Sequence, residues 1–418
     1  MSLQATNSIS PKNPVPTPPL LTDILLKKGV IERDRFVEDV IESEDGKMGK
    51  GNIVAYNIRY NITEEKTENQ TNLPNTIIVK HSVSGDESDN TLDKGALLNI
   101  DNKCFRFLPI AREAWFMQEF SEQTFSQPKV FHTIADFKEP QGMVILMEDL
   151  RSSTTRMDQF HGAQGGLHLE RQGHSSNETL SSKEAWKLVF EDVATTHAKY
   201  WGVTNLTSDA RTKLKYTSWM NGESREEWEA SLMACRLAWN KVDKSSMSKR
   251  VITFITTCLE RATFDRAAKR MNNRPKTLVH GDFHAKNIFW NDNRRRVTMI
   301  DFSEVGIGNP MCDLGQYVIS DVETEVRRIH EEEVLRAYWD KLTSSGVDPN
   351  EYPFTQCWES YKQDGLDRFV WFFPVLSYFG WAPKFFHDQI DGFLKDHNVN
   401  AEEFVLTFGI EMLVKTQK

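Results

Sequence analysis

One stretch of the chain, residues 277–313, combines short apolar runs with polar residues at fixed intervals. Its sequence is TLVHGDFHAKNIFWNDNRRRVTMIDFSEVGIGNPMCD, and a charged turn from Asn291 to Arg296 separates two apolar segments. Two such segments around a polar turn predict a β-hairpin. The hairpin would hold Asp282 and Asn287 in the loop before its first strand and Asp301 at the end of its second strand. Two carboxylates and an amide can therefore converge on one point.

These residue types suit phosphoryl transfer, in which a protein mostly positions the reactants and neutralises charge. The reaction needs a carboxylate beside the acceptor hydroxyl, and Asp282 fits that role. Mg²⁺ prefers a few oxygen ligands and keeps its remaining positions for water and phosphate. Asn287 and Asp301 can supply those ligands. The stretch therefore predicts a site for Mg²⁺ and a phosphoryl group.

Two other interpretations of the stretch stay open. His280, Asp282 and His284 alternate along the chain, as ligands do in some zinc and iron sites. Against this, the other nine histidines form no second cluster, and Asn287 and Asp301 would have no role. The stretch could also be an ordinary hairpin that contains a buried aspartate.

The run H-G-D-F-H-A-K-N from His280, followed by I-D-F ending at Phe302, resembles the aminoglycoside phosphotransferase and choline kinase superfamily. Together with L-M-E-D-L at 146–150, it most resembles the ecdysteroid-kinase-like branch, also called CHK-kinase-like. By motif order the resemblance covers roughly residues 20–320. It implies an α+β, protein-kinase-like bilobal fold, with a small antiparallel-sheet N-lobe and a larger, mostly helical C-lobe. It also implies ATP and Mg²⁺ as cofactors and a small-molecule hydroxyl as acceptor.

The resemblance assigns Asp282 to the acceptor hydroxyl and Asn287 and Asp301 to Mg²⁺. His284, two residues after Asp282, could touch the transferred phosphate. On the nucleotide side, Lys80 ends the apolar run Thr76-Ile-Ile-Val-Lys. In this fold such a lysine binds the α and β phosphates and pairs with a glutamate of the next helix.

Glu113 matches that helix glutamate better than Glu119 does. A solvated lysine at a strand end is the alternative interpretation of Lys80.

Two further features complete the expected nucleotide site. Gly46, Gly49 and Gly51 form a glycine-rich turn whose backbone N–H groups could approach phosphate oxygens, although a plain hairpin explains them equally well. It is not a Walker loop, because no Gly-Lys-Ser or Gly-Lys-Thr follows. The resemblance further implies that backbone groups around Glu148 and Leu150 bind the adenine at a hinge between the lobes.

Composition limits the classes of protein to consider. With 418 residues the chain exceeds one ordinary domain. A net charge of −9 argues against nucleic acid or an anionic membrane as the main partner. The five cysteines are odd in number and form no C-x-x-C pair, and no secretory signal is visible, so we expect reduced thiols and a cytoplasmic protein. The apolar run 369–386 contains two prolines and a lysine, which favours a buried helix pair over a membrane span.

We expect a disordered segment at 1–19, a nucleotide-binding lobe at 20–150, and a helical lobe at 151–418 that carries the catalytic loop and acceptor site. Residues 151–180 lack periodicity and are expected to be mobile. His197 lies on the apolar face of a predicted helix and is expected to be a core residue. The aromatic residues of 359–386 could form core, an apolar acceptor pocket, or an aromatic box for a quaternary amine.

The sequence therefore predicts an ATP-dependent small-molecule kinase. Ecdysteroid-like, choline- or ethanolamine-like and aminoglycoside-like acceptors all remain possible, and so does an inactive nucleotide-binding pseudokinase, since Ser303 replaces the glycine of Asp-Phe-Gly. A protein kinase is disfavoured, because only eleven residues separate Asp301 from Asp313, no Ala-Pro-Glu segment follows, and Gly281 stands where protein kinases place arginine.

Overall fold

The computed structural model describes residues 9–48, 52–61, 73–83, 110–120, 125–138, 141–161, 180–214, 225–271, 273–380 and 384–406. Their contacts form two compact units that divide between Ser153 and Thr154. Some of the predictions lie outside the described residues. They concern Gly49, Gly51, Cys104, residues 1–8 of the N-terminal segment, residues 162–179 of the expected mobile segment, and Trp381 of the aromatic tail.

The first unit is built on an antiparallel sheet. Its strands are β1 (Val37–Met48), β2 (Ile53–Tyr60), β3 (Thr76–Val83), β4 (Val130–Asp136) and β5 (Gly142–Glu148). They lie in the order β1-β2-β3-β5-β4, and every neighbouring pair is antiparallel. Successive side chains of a strand point to opposite faces, so Ile77 and Val79 of β3 join one apolar core while Lys80 points to the other face.

Two helices accompany this sheet, α1 (Pro18–Lys27) and α2 (Ala111–Glu119). Leu21, Ile24 and Leu25 of α1 pack into the same core as Ile77 and Val79. In the described part of the N-terminal segment, Ile9 is buried in this core, and α1 begins at Pro18. Proline is favoured at the first position of a helix, because its fixed φ suits the helix and its missing N–H is not needed there.

The second unit is mostly helical. Its helices are α3 (Ser182–Lys199), α4 (Ser208–Lys213), α5 (Arg225–Lys241), α6 (Lys249–Arg261), α7 (Phe264–Met271), α8 (Met311–Asp321), α9 (Thr324–Ser344), α10 (Phe354–Asp364), α11 (Asp367–Tyr378) and α12 (Lys384–His397). Helix α3 begins with a capping box of Ser181 and Glu184, with both of its hydrogen bonds formed. Pro374 lies inside the largely buried α11.

Short strands of the second unit carry the stretch 277–313. They are β6 (Thr155–Arg156), β7 (Thr277–Val279), β8 (Ile288–Asn291), β9 (Arg296–Met299) and β10 (Gly306–Gly308). Strands β8 and β9 form the predicted hairpin, with Ile288 opposite Met299 and Asn291 opposite Arg296. Strand β7 pairs with β10, so the loop before the hairpin and the segment after it are both anchored by strands.

A small antiparallel sheet unit and a larger helical unit confirm the predicted α+β class. Among the described helices, none is long and apolar enough to cross a membrane.

Candidate active site

Lys80 of the first unit is buried against a carboxylate. Its Nζ lies 2.9 Å from Oε1 and 2.7 Å from Oε2 of Glu113 in helix α2. The side chains are only 10% and 3% exposed, whereas Glu119 at the end of the same helix is exposed. Lys80 is therefore not a solvated strand-end lysine, and Glu113 is its partner. A buried ammonium held by a buried carboxylate keeps its charge and a fixed direction.

The glycine-rich turn is described only in part, whereas residues 148–150, the segment predicted to be a hinge, are described in full. Gly46 lies in an irregular part of β1, where the register shifts between Glu42 and Lys47. A Cβ at Gly46 would lie 2.7 Å from the carbonyl oxygen of Ser43, so close backbone packing by itself requires glycine there. At the hinge, the amide of Glu148 donates to the carbonyl of Lys129, and the Glu148 side chain accepts from the Lys129 amide. Leu150 is buried and its carbonyl accepts from Ser153.

In the second unit, donors surround the carboxylate of Asp282. Its Oδ1 accepts from Nε2 of Gln316 at 2.8 Å and from Nη2 of Arg368 at 3.2 Å. Its Oδ2 lies 3.3 Å from Nδ2 of Asn287 and 3.5 Å from Nε2 of His284. Burial would raise the pKa of Asp282, but His284, Arg368 and Gln316 outweigh burial and hold that pKa well below its ordinary value. Asp282 is thus an ionised carboxylate whose orientation is set by the hydrogen bonds that it accepts.

His284 lies next to Asp282 and is surrounded by further acidic groups. Burial favours the neutral ring, yet Asp282, and after it Asp321 and Asp301, raise the pKa of His284 above its ordinary value. Asp321 in α8 accepts a hydrogen bond from the amide of Ala285 at 2.8 Å, and burial raises its pKa to about 6. These acidic neighbours favour a positively charged ring next to Oδ2 of Asp282.

The two predicted metal ligands are brought together by the backbone. The carbonyl of Asn287 accepts from the amide of Ile300 at 2.9 Å, which places the residue before Asp301 directly beside Asn287. The side-chain nitrogen Nδ2 of Asn287 donates to the backbone carbonyl of Asp282 at 3.1 Å. Asp301 has φ 62° and ψ 64°, a left-handed conformation that costs free energy for a non-glycine residue and is often kept at functional sites.

This donor set fits a hard cation such as Mg²⁺. Because the nitrogen of the Asn287 amide is committed to Asp282, its oxygen is the atom left for a ligand, and Asp301 supplies a carboxylate. His280 does not fit a zinc or iron site: its Nδ1 accepts from the Asp282 amide and its Nε2 lies 3.0 Å from the Ile300 carbonyl. Both ring nitrogens are therefore used by backbone, which overturns the alternating His-Asp-His interpretation. Within the described ranges, no group of three His, Cys, Asp or Glu side chains could hold a metal ion.

A buried chain of polar groups supports the catalytic loop. Asp313 at the start of α8 accepts from the amides of His280 at 2.8 Å and Gly281 at 3.0 Å. His197 lies 3.3 Å from the same carboxylate, and its other ring nitrogen lies 2.9 Å from the hydroxyl of Tyr338. His197 is fully buried, as predicted for a core residue, and it also positions Asp313.

The contacts of Asp282 and its loop that were not predicted include those with Gln316, Arg368 and Glu304. All come from elements distant in sequence: Gln316 from α8, Arg368 from α11, and Glu304 from the turn after Asp301. Arg368 did carry one signal, since it is a charged residue that directly precedes the strongly apolar run F-V-W-F-F. A charged side chain in a buried helix needs a partner.

Comparison with known proteins gives one match to a protein family. The sequence profile of the ecdysteroid kinase-like family matches residues 52–346. No curated protein matches the chain significantly by sequence.

Similar solved structures include an ethanolamine kinase from Plasmodium vivax, at 9% identity, a TM-score of 0.47, and coverage of 91% of this chain and 87% of that one. A choline kinase from Streptococcus pneumoniae is similar at 13% identity and a TM-score of 0.40, with 90% and 99% coverage. An aminoglycoside phosphotransferase from Streptomyces rimosus is similar at 11% identity and a TM-score of 0.34, with 74% and 90% coverage.

Proposed function

Because the chain belongs to the ecdysteroid kinase-like family, we propose that it is an ATP-dependent kinase of small molecules. It transfers the γ-phosphoryl group to a hydroxyl of a small acceptor. The observation that carries this proposal is the cluster in the second unit. There Asp282 is held as an ionised carboxylate, and the side chain of Asn287 contacts it. The backbone of Asn287 is hydrogen-bonded to Ile300, the residue before Asp301.

On the acceptor side, Asp282 binds and orients the hydroxyl. Its low pKa makes it a weak base, so it removes the proton only as the bond to phosphorus forms. Phosphoryl transfer has a loose transition state that needs little deprotonation of the nucleophile beforehand. His284, favoured in its charged form beside Oδ2 of Asp282, would donate a hydrogen bond to the transferred group.

On the phosphate side, Asn287 and Asp301 would hold Mg²⁺ through oxygen atoms. When bound, Mg²⁺ would supply positive charge that neutralises the charge on the phosphate oxygens. In the first unit, Lys80 would bind the nucleotide phosphates and Glu113 would fix its direction. Backbone groups around Glu148 and Leu150 would bind the adenine, and Gly46 would contribute to the loop over the phosphates.

The acceptor is proposed to be a small alcohol that is apolar or carries an amine. Choline, ethanolamine and aminoglycosides are the alternative classes, and the net charge of −9 favours a cationic or neutral acceptor over a nucleic acid. Within the described residues, Cys235, Cys258 and Cys357 are buried thiols that form no disulfide, which supports the cytoplasm as the proposed location.

The test is ATP consumption by the purified protein with panels of steroids, amino alcohols and aminoglycosides. We expect one class to raise ADP release in a Mg²⁺-dependent manner, and the Asp282→Asn variant to lose that increase. If the protein binds MgATP but no acceptor raises turnover, the pseudokinase interpretation is favoured. If it does not bind MgATP, the proposed function is wrong.

A further inference from the structure

Arg368 is a buried cation that contacts two separate loops of the second unit. It lies in the first turn of α11, and its side chain is 5% exposed. Its Nη1 donates to the carbonyl oxygen of Gly281 and, at 2.9 Å, to Oε2 of Glu304. Its Nη2 donates to Oδ1 of Asp282 at 3.2 Å. One guanidinium thus binds the loop that carries Asp282 and the turn that follows Asp301.

The two loops already touch at the point where Arg368 binds them. Gly281 has φ +84°, and a Cβ there would lie 2.1 Å from the carbonyl oxygen of Glu304. The guanidinium also packs on the ring of Phe372, one turn further along α11, at 4.3 Å from the ring centroid. Because a guanidinium is planar and its donors point in fixed directions, this arrangement leaves little freedom to the groups that it binds.

The hydrogen bonds of Asp282 divide between its two oxygens. Arg368 and Gln316 both donate to Oδ1. Asn287 and His284 lie on the side of Oδ2. A carboxylate whose Oδ1 accepts from one guanidinium nitrogen and one side-chain amide cannot rotate freely about its Cβ–Cγ bond.

We propose that Arg368 is a positioning residue that fixes Oδ1 of Asp282 and so presents Oδ2 to the acceptor hydroxyl. Arg368 itself does not touch the reactants. The proposal rests on the proposed function in that the hydroxyl is taken to meet Asp282. Its geometric part, that Arg368 sets the orientation of this carboxylate, stands apart from catalysis and can be measured separately.

The test compares Arg368→Met with a matched control, Arg327→Met. Arg327 is equally buried in the second unit and pairs with Glu331 and Asp396 of α9 and α12, away from the catalytic loop. Crystal structures of both variants report the orientation of Asp282, calorimetry reports MgATP affinity, and steady-state assays with an acceptor found by screening report turnover. In Arg368→Met we expect Asp282 to rotate away from Gln316 or to adopt several conformers. We also expect kcat to fall about 10- to 100-fold, the usual cost of misplacing a reacting group, while MgATP affinity stays unchanged.

The control variant should keep the wild-type Asp282 orientation and kcat, even though its melting temperature falls. If Asp282 keeps its wild-type contacts in Arg368→Met, or if kcat there is unchanged, the proposal is overturned. A proportional loss of kcat and MgATP affinity in both variants would also overturn it, because a general loss of structure would then explain the effect.

The Arg368→Lys variant keeps the proposal testable if the methionine variant does not fold. A lysine keeps the charge next to Glu304 but lacks the fork that reaches Asp282. We expect the lysine variant to have wild-type MgATP affinity and a kcat between those of the wild type and the methionine variant. Where the methionine variant cannot be made, the kcat of the lysine variant should be well below that of the wild type. A wild-type kcat and a wild-type Asp282 orientation in the lysine variant would contradict the need for a guanidinium. If the wild-type protein transfers no phosphoryl group at all, the proposed function fails, and the Asp282 orientation in the variant crystals still decides the role of Arg368.

Discussion

Gly281 precedes Asp282 at the contact between two loops, and substituting it with alanine should be severe. The residue has φ +84°, and an added Cβ would lie 2.1 Å from the carbonyl oxygen and 2.7 Å from the carbonyl carbon of Glu304. A left-handed conformation costs an L-residue about 1–2 kcal/mol. Forcing an extra methyl group into packed backbone adds about 1–3 kcal/mol. Gly281→Ala should therefore lower the free energy of unfolding by about 2–5 kcal/mol.

A second glycine of the same unit separates these two costs. Gly202 has φ +69°, and a Cβ there would meet nothing closer than Thr204 Cγ2 at 3.9 Å. Gly202→Ala should therefore show only the conformational cost of about 1–2 kcal/mol. Urea unfolding of both variants, followed by circular dichroism, measures the difference. If Gly281→Ala is no more destabilising than Gly202→Ala, the close approach of the two loops is refuted.

Two further predictions concern buried titratable groups. Lys80→Met should lower the free energy of unfolding by about 3–5 kcal/mol, because it removes the cation that compensates the buried Glu113. The double variant Lys80→Met/Glu113→Gln should recover most of that stability but not the affinity for MgATP. If the double variant binds MgATP with wild-type affinity, Lys80 does not bind the nucleotide. Burial lowers the pKa of His161 to about 4, although Asp158 acts in the opposite direction. Between this value and the ordinary histidine pKa of 6.5, the unfolded state binds more protons than the native state. Stability should then fall by about 3 kcal/mol between pH 6.5 and 4, and His161→Gln should show a smaller pH slope in urea unfolding; equal slopes would contradict a neutral buried His161.

The parts of the site that follow from sequence are those whose residues are neighbours in the chain. The hairpin that joins Asn287 to the residue before Asp301 is set by a polar turn between two apolar segments, which is a local signal. Lys80 could be predicted because it is a lone lysine at the end of the apolar run that starts at Thr76. Its partner Glu113 is 33 residues away and came from the family resemblance rather than from any pattern.

The parts that could not be predicted depend on tertiary contacts. Arg368 meets Asp282 across 86 residues, and nothing local to either residue indicates that α11 packs beside the catalytic loop. Residues 249–271 form two helices, α6 and α7, rather than one. The chain is extended at Ala262, and Thr263 accepts a hydrogen bond from the amide of Arg266, which caps the second helix. The apolar periodicity continues across this break, so periodicity alone could not show it.

We propose that Asp282 binds the acceptor hydroxyl and that Asp301 binds the metal. Calorimetric titration of MgATP into Asp282→Asn and Asp301→Ala tests it most directly. Asp282→Asn should bind MgATP with nearly wild-type affinity while its kcat falls about 10²- to 10⁴-fold, the range for a positioned base. Asp301→Ala should lose the Mg²⁺-dependent part of its nucleotide affinity, because the phosphates then lack the cation that bridges them. Loss of MgATP binding in Asp282→Asn, with affinity retained in Asp301→Ala, would contradict the assignment.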